Sequence, residues 1–339
     1  MTDHWQSLVE PALEGNIIFV LGATDTGKTT LVTYLANLLH GQGHSVGVID
    51  TDMGQSDIGP PTTLGLGEVV QPVTHLSEVP LRGLYFVGAT SPRGSLLPVV
   101  VGARQLLDKA LSLGLKKIIF DTTGLVEGDI GRALKGHKLQ LLRPDVVICL
   151  QYKDECEPLL RAYTYTERPR LLRLPPISEG KKKTPEERRR HRENSFNRYF
   201  ENSKDIEIDL TRVNLMETPL FSGLPLSPSQ LKDLSHLTGN PLLWGEKFLK
   251  ELVLVTANPL EDTQLWSIKR CYEGCYIKPY ASREFDRLLV GLMSREQEVL
   301  ALGILKALNF ETKRAIVYTP LRKDDVQGVK FGRDRLQIS

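Results

Sequence analysis

Cysteine is scarce in this chain of 339 residues, which contains only four. So few cysteines in so long a chain do not suggest the disulfide framework of a small secreted domain. A core of this size also needs no such cross-links. The one close pair is Cys271 and Cys275, and no His or Cys pair nearby completes the four ligands that a structural zinc ion needs. We therefore expect reduced cysteines and no zinc site.

Long apolar runs and an N-terminal leader are also lacking. The apolar runs, such as Leu96–Val101 and Val146–Leu150, fall far short of the ~20 residues that cross a bilayer. The first ten residues show no basic start followed by an apolar run, so no secretory signal is expected. These absences predict a cytoplasmic protein without a membrane partner.

Net charge is small, because 43 Lys and Arg stand against 41 Asp and Glu and give +2. Averaged over the chain, this balance argues against a strongly basic nucleic-acid-binding protein. The average conceals one basic segment, since Arg161–Arg198 carries a net charge of +7 and the remainder carries −5. A polyanionic partner therefore remains compatible with the sequence.

Short apolar runs alternate with helical patterns in the first half of the chain. The predicted strands are Asn16–Leu21, Ser45–Asp50, Leu84–Val87, Lys117–Asp121 and Asp145–Leu150. The predicted helices include Thr29–His40 and Leu96–Leu113. Continuous apolar strands separated by helices indicate a parallel sheet covered by helices on both faces, and the fold class is α/β.

The pattern changes after about residue 205. Apolar stretches are now divided by polar turns, and prolines recur between them. The strand-like stretches are Glu251–Ala257, Leu288–Met293, Glu298–Leu308 and Ala315–Tyr318. We predict an α/β domain over residues 1–204 and a smaller, β-rich C-terminal domain over residues 205–339.

A glycine-rich motif separates the first predicted strand from the first helix. The run Gly22-Ala23-Thr24-Asp25-Thr26-Gly27-Lys28-Thr29 fits the P-loop pattern G-x-x-x-x-G-K-[ST]. In such a loop backbone N–H groups surround phosphate oxygens, the lysine reaches the β- and γ-phosphates, and the hydroxyl after it holds Mg²⁺. The predicted ATP-binding residues are Gly22, Thr24, Asp25, Thr26, Gly27, Lys28, Thr29 and Thr30.

Carboxylates follow two of the predicted strands. Asp50 and Asp52 come after the second strand, and an extended segment would point both toward the phosphates. One could support Mg²⁺ and the other could accept a proton from an attacking hydroxyl. Asp121 ends another strand and is a second candidate for the metal-supporting role, although the Asp50/Asp52 pair is preferred. The alternative is a turn with solvated acids.

Two further segments could contact a substrate. The segment Gly88–Gly94 follows the third predicted strand and could bind a nucleotide or a substrate backbone. The sequence is equally compatible with a loop that has no binding role. The basic stretch Lys181–Arg192 predicts a helix that begins after Thr184. Spacings of i, i+3 and i+4 would place Arg188, Arg189 and Arg192 on one face. Such a helix is similar to the arginine-bearing lid of small kinases, and the alternative is a solvated charged face.

These features in this order resemble the RNA-processing polynucleotide 5′-hydroxyl kinase family, whose relatives include eukaryotic pre-mRNA cleavage-complex and ribosomal-RNA-processing kinases. The stretches that carry the resemblance are GATDTGKTT, DTDMGQSDIGPP, FVGATSPRG, IIFDTTGLVEG and EERRRHRENSFNRYF. The resemblance implies phosphorylation of a 5′-hydroxyl end of RNA or DNA by ATP and Mg²⁺. It also implies that Asp52 is the general base and that a lid spans about residues 178–200.

Residue roles follow from the resemblance and from the motifs together. The predicted catalytic residues are Lys28, Asp52, Arg188 and Arg192. The predicted metal-supporting residues are Thr29, Asp50 and Asp121. The predicted substrate-binding residues are Gln55, Thr90, Ser91, Lys183 and Arg189. The chain departs from the family pattern at Ser95, Lys183 and Leu125, where relatives have asparagine, arginine and tryptophan.

The leading hypothesis is therefore an ATP-dependent polynucleotide 5′-hydroxyl kinase. An ATP-bound, non-catalytic assembly module of an RNA-processing complex is the alternative, because a P-loop protein can hold ATP structurally. A small-molecule kinase or a GTPase is a third possibility. A GTPase usually carries an [NT]-K-x-D motif that reads the base, and the sequence has none.

Overall fold

The computed structural model describes residues 5–176, 184–322 and 325–336. The chain divides into two compact units, Met1–Glu201 and Asn202–Ser339. Among the described residues, no helix combines the length and apolarity that crossing a membrane requires.

The first unit contains a seven-stranded mixed sheet with the order β4-β3-β2-β5-β1-β6-β7. Its strands are β1 Ile17–Gly22, β2 Val46–Asp50, β3 Thr63–Val69, β4 Leu81–Phe86, β5 Lys117–Asp121, β6 Val146–Leu150 and β7 Arg170–Leu174. Its helices are α1 Gln6–Glu14, α2 Lys28–Gly41, α3 Leu96–Ser112, α4 Gly128–Leu142, α5 Glu157–Leu160 and α6 Pro185–Phe200.

Strand β1 lies inside this sheet, between β5 and β6, and is covered on both faces. Its side chains alternate in direction, so that Ile18 and Val20 pack in an apolar cluster with residues of α1 and α2. Phe19 and Leu21 pack on the opposite face with residues of α3 and α4. The loop that follows β1 is therefore anchored by a strand that is buried on both sides.

Strand β3 is the one strand of this sheet that runs antiparallel to its neighbours β2 and β4. The apolar pattern of the sequence predicts neither β3 nor β7. Strand β3 contains Gly65 and Gly67, and glycine is a poor strand former. A β-carbon on Gly65 would overlap the backbone of Ile58, so this buried position accepts only glycine. The link from β2 to β3 contains no helix, and an antiparallel return needs none.

The second unit contains a six-stranded and a four-stranded sheet. The six-stranded sheet has the order β8-β16-β15-β14-β17-β9, and the four-stranded sheet has the order β10-β11-β12-β13. Strands β8 to β13 are Lys204–Asp209, Asn214–Met216, Leu224–Pro225, Leu242–Phe248, Glu251–Thr256 and Tyr276–Ala281. Strands β14 to β17 are Leu288–Met293, Val299–Asn309, Arg314–Thr319 and Gly328–Arg335.

Two helices of the second unit, α7 Pro228–Thr238 and α8 Asp262–Cys271, were not predicted. The sequence analysis took the prolines of this region as breaks between strands. Pro228 instead begins α7, where a proline costs nothing because the first N–H groups of a helix have no intrahelical partner. Ser227 and Gln230 form a capping box at the same end, which is the sequence signal that could have revealed the helix.

Candidate active site

The P-loop connects β1 to α2 and forms an anion cradle. Gly27 has a φ of 91°, in the left-handed region that favours glycine, and it is the residue before the first turn of α2. The Lys28 ammonium donates to the Ala23 carbonyl at 2.6 Å, which bends the lysine over its own loop. Burial lowers the pKa of Lys28, while the carboxylates of Asp121 and Asp52 oppose that shift. A phosphate bound here would add a further anionic partner for the buried ammonium.

Asp121 lies at the end of β5, next to the P-loop strand. Its Oδ2 accepts a hydrogen bond from Thr29 Oγ1 at 2.7 Å. Its carboxyl group is almost fully buried, and burial raises its pKa to about 6. A hydroxyl and a carboxylate are thus held side by side at the start of α2, which is a donor set that suits Mg²⁺.

Asp50 and Asp52 have different environments although they are only two residues apart. Asp50 is buried, and its two oxygens accept bonds from the backbone N–H groups of Asp52, Asp57 and Ile58 at 2.7–3.2 Å. The Ser56 hydroxyl also donates to it, at 3.3 Å. Burial raises the pKa of Asp50 well above its usual range. Asp50 therefore holds the turn after β2 together and, unlike Asp52, does not line the cavity described below.

Asp52 instead faces a cavity. The N–H groups of Gly54 and Gln55 both donate to its Oδ1 at 3.1 Å, which leaves Oδ2 for another donor. The Gly88–Gly94 loop passes beside this turn, because a β-carbon on Gly54 would lie 2.9 Å from the Thr90 carbonyl oxygen. Asp52 is therefore fixed in place while one of its oxygens remains accessible.

The cavity has a volume of about 300 Å³ and brings several predicted residues together. Its lining residues are Thr24, Asp25, Gly27, Lys28, Thr29, Thr30, Asp52, Gln55, Asp57, Asp121, Thr122, Gly124, Arg188 and His191. Other predicted residues do not line it: Gly22, Thr26, Asp50, Thr90, Ser91, Arg189 and Arg192. Lys183 lies outside the described residues.

The basic helix α6 begins with a capping box between Thr184 and Glu187, as its sequence predicts. Arg188 reaches across to the P-loop and pairs with Asp25 at 2.7 Å. The Gln55 side-chain amide donates to the Arg188 carbonyl oxygen at 3.2 Å. These two contacts attach the helix to the two loops that carry Lys28 and Asp52.

The cavity face of α6 differs from the predicted one. Arg188 and His191 line the cavity, whereas Arg189 is exposed and pairs with Glu193 at 2.8 Å. Of the three arginines predicted to share one functional face, Arg188 lines the cavity, whereas Arg189 and Arg192 do not. The five successive residues of the motif R-R-R-H-R point in all directions around the helix. The sequence alone therefore does not show which of them face the cavity.

Two buried lysines near the site were missed by the sequence analysis. Lys135 and Lys138 are both 0% exposed on α4. The Lys135 ammonium donates to the Thr123 carbonyl at 2.6 Å, and none of the described residues accepts a hydrogen bond from Lys138 Nζ. Burial lowers the pKa of Lys138 to about 7, against the opposing effect of the Asp52 and Asp50 carboxylates. Lysine is nearly always solvated, so no signal in the sequence marked either residue.

Replacing Lys138 with methionine is expected to raise the free energy of unfolding at pH 7 by on the order of 3 kcal/mol. Methionine keeps most of the apolar stem and removes the buried amine. The folded-state pKa lies below the usual 10.5, so the unfolded chain binds more protons between about pH 7 and pH 10.5. The stability of the natural protein therefore rises with pH in this interval, and its difference from Lys138→Met shrinks.

Urea denaturation of both proteins at pH 7 and pH 9 measures this effect. Lys153→Met, at an exposed position, is the control and should change stability by no more than ~0.5 kcal/mol at either pH. A stability difference between the natural protein and Lys138→Met that widens with pH would contradict the assignment of Lys138 as a buried amine with a lowered pKa.

A P-loop family model and several curated relatives match this chain over much of its length. A family model described as mRNA cleavage and polyadenylation factor CLP1 P-loop matches residues 22–202. The polyribonucleotide 5′-hydroxyl-kinase of Pyrococcus furiosus is 31% identical over 324 residues, which cover 94% of this chain and 87% of the relative. A protein of the same printed name from Methanocaldococcus jannaschii is 31% identical over 322 residues, or 94% and 86% of the two chains.

Solved structures agree on the fold. A chain of the wild-type Clp1p–Pcf11p complex matches with a TM-score of 0.63 and 12% identity, covering 97% of this chain and 78% of that one. At that identity the likeness concerns the fold alone. It confirms the predicted P-loop sheet with helices and a separate β-rich C-terminal region.

Proposed function

The chain belongs to the mRNA cleavage and polyadenylation factor CLP1 P-loop family, and from this premise we propose that it transfers the γ-phosphate of ATP to the 5′-hydroxyl end of a polynucleotide. The observation that carries the proposal is one cavity lined by the phosphate-binding Lys28, the carboxylate of Asp52 and the guanidinium of Arg188. Its relatives of 31% identity bear the name polyribonucleotide 5′-hydroxyl-kinase. Nucleotide use follows from the P-loop.

In the proposed reaction the 5′-oxygen of the acceptor attacks the γ-phosphorus of ATP. The new P–O bond forms as the bond to the β,γ-bridging oxygen breaks, and ADP leaves. Asp52 Oδ2 takes the proton of the 5′-hydroxyl, while its Oδ1 stays bound to two backbone N–H groups. Lys28 and Arg188 offset the negative charge that spreads over the transferring oxygens.

For Mg²⁺ we propose Thr29 and Asp121 as the supporting residues. Their direct hydrogen bond places two hard oxygen ligands at the start of α2, beside the phosphate cradle. Mg²⁺ prefers few protein oxygens and keeps substrate phosphates and waters as its other ligands. Bound there, the ion would supply positive charge next to the β- and γ-phosphates. Asp50 uses its oxygens on the turn after β2, so we favour Asp121 over the Asp50/Asp52 pair for this role.

The remaining predicted contacts stay predictions. Gln55 lines the cavity with its Oε1 buried, and no described residue donates to that oxygen, which supports a contact with a substrate donor. Thr90 and Ser91 lie on the loop beside the Asp52 turn. Arg192 and the exposed Arg189 do not line the cavity.

Transfer of label from γ-³²P-ATP to oligonucleotides of one sequence, made as 5′-hydroxyl RNA and as 5′-hydroxyl DNA, tests the proposal. We expect label on at least one of them, removable by alkaline phosphatase, and none on oligonucleotides that already carry a 5′-phosphate. Folded protein that labels neither acceptor in the presence of Mg²⁺ would contradict the proposal.

A further inference from the structure

A second cavity of about 280 Å³ adjoins the first one. Its lining residues are Ser56, Asp57, Gly59, Pro60, Ser77, His191, Ser195, Arg198 and Tyr199. Asp57 and His191 line both cavities, so the two cavities are neighbours. Neither the P-loop nor Asp121 contributes to the second cavity.

The position of the second cavity indicates that it would contact the acceptor and not ATP. The acceptor hydroxyl must meet the γ-phosphate on the side where Asp52 lies, because Asp52 takes its proton. The chain beyond that hydroxyl must then extend away from the P-loop. Ser56 and Asp57 continue the same turn that carries Asp52, and they form a wall of the second cavity. The cavity therefore begins where the acceptor has to leave the reaction centre.

One face of α6 runs along both cavities. Its lining residues are Arg188, His191, Ser195, Arg198 and Tyr199, at the i, i+3, i+7 and i+10/11 spacings of a single helix face. Arg188 and Arg198 are separated by ten residues, or about 15 Å along the helix axis. A stacked strand rises ~3.4 Å per nucleotide, so this face is long enough to contact more than the first nucleotide.

The chemistry of the second cavity suits a nucleic-acid backbone. Arg198 is exposed and makes no ion pair with any residue that the structure describes, so its charge is available for a phosphate. The half-buried ring of Tyr199 lines the same cavity and packs edge-on against Phe200, with 5.0 Å between ring centroids. An aromatic ring at this place is of the kind that contacts bases and sugars. His191 Nδ1 is buried and receives no hydrogen bond from the described residues.

We propose that the second cavity holds the acceptor chain beyond its first nucleotide, with Arg198 binding a phosphodiester and Tyr199 packing against the adjoining base or sugar. The inference rests on the proposed function and makes it more specific. It implies that the protein selects polynucleotide ends over nucleosides and mononucleotides through contacts remote from the transferred phosphate.

The test compares Arg198→Ala with the natural protein on two acceptors, a nucleoside 3′-monophosphate and a 5′-hydroxyl octanucleotide. For the octanucleotide we expect kcat/KM to fall by about tenfold, the effect of losing one charge-assisted hydrogen bond. For the mononucleotide, which does not reach the cavity, we expect no change. The salt dependence of octanucleotide binding should lose about 0.7 of its logarithmic slope, because one phosphate contact is removed.

Arg190→Ala is the matched control, since Arg190 is exposed on the same helix and lines neither cavity. It should leave the ratio between the two acceptors unchanged. The inference is overturned if Arg198→Ala lowers activity equally on both acceptors, changes neither, or acts on the KM for ATP. Failure of the proposed function is a different result, because the natural protein would then label no acceptor.

Discussion

Arg188→Ala is expected to lower kcat by about three orders of magnitude, the lower end of the range for arginines that stabilise a transferring phosphoryl group. The KM for ATP should change little, because the interaction develops as charge accumulates in the transition state. Arg188 lies on α6 within the cavity and already reaches the P-loop through Asp25 at 2.7 Å. A phosphoryl group in the cradle would compete with that carboxylate for the same guanidinium.

Two further variants test whether the guanidinium of Arg188 itself is required for transfer. Arg188→Lys keeps the charge but loses the planar fork, so it should restore only part of kcat. Arg190→Ala on the exposed side of α6 should retain kcat within about threefold, since surface changes of this kind cost ~0.5 kcal/mol or less. Single-turnover transfer to a 5′-hydroxyl oligonucleotide measures all three. A kcat for Arg188→Ala that stays within tenfold of the natural value would remove Arg188 from the reaction.

Asp52→Asn is expected to lower kcat by about 10²–10⁴, the usual contribution of a general base. Nucleotide binding should survive, because the asparagine Oδ1 can still accept the bonds from the N–H groups of Gly54 and Gln55 that hold the turn. The variant therefore removes the proton acceptor without dismantling the loop. Parallel titration with a fluorescent ATP analogue separates a lost base from lost binding.

Asp129→Asn is the control for the second prediction, because Asp129 is an exposed acid on α4 that pairs with Arg132 at the surface. It should leave both kcat and ATP affinity unchanged. A kcat for Asp52→Asn within about threefold of the natural value would show that another group takes the proton. Equal loss of ATP affinity and kcat would instead assign Asp52 to nucleotide binding.

The sequence predicts the central strands of the first unit well, because each of these strands is marked by its own local sequence pattern. Strands β1, β2, β5 and β6 are continuous apolar runs, and such runs are typical of strands buried on both faces. Strand β3 lacks this signal because Gly65 and Gly67 accommodate close neighbours rather than forming an apolar pattern. Its need for glycine arises from the turn that packs on it, which is a tertiary contact.

In the candidate site, the residues that belong to a recognisable sequence pattern were predicted, and those that depend on tertiary contacts were not. Lys28 and Thr29 follow from the P-loop motif, the role of Asp52 is implied by the family resemblance, and all three residues line the cavity. The role of Asp50 depends on four donors that only the folded turn supplies. Likewise, Lys138 is buried because α4 turns that face toward the sheet, and its sequence neighbourhood resembles an ordinary solvated helix.

The number of 5′-phosphate ends made per protein molecule, with ATP, Mg²⁺ and a 5′-hydroxyl oligonucleotide in excess, tests the central claim most directly. A polynucleotide 5′-hydroxyl kinase makes many product ends per molecule, and the count rises linearly with time until the acceptor is consumed. A protein that holds ATP as part of an assembly makes one or none, while ATP co-purifies with it and protects it against unfolding. Turnover beyond one is the result that we predict, and tightly held ATP with no labelled end would contradict the account.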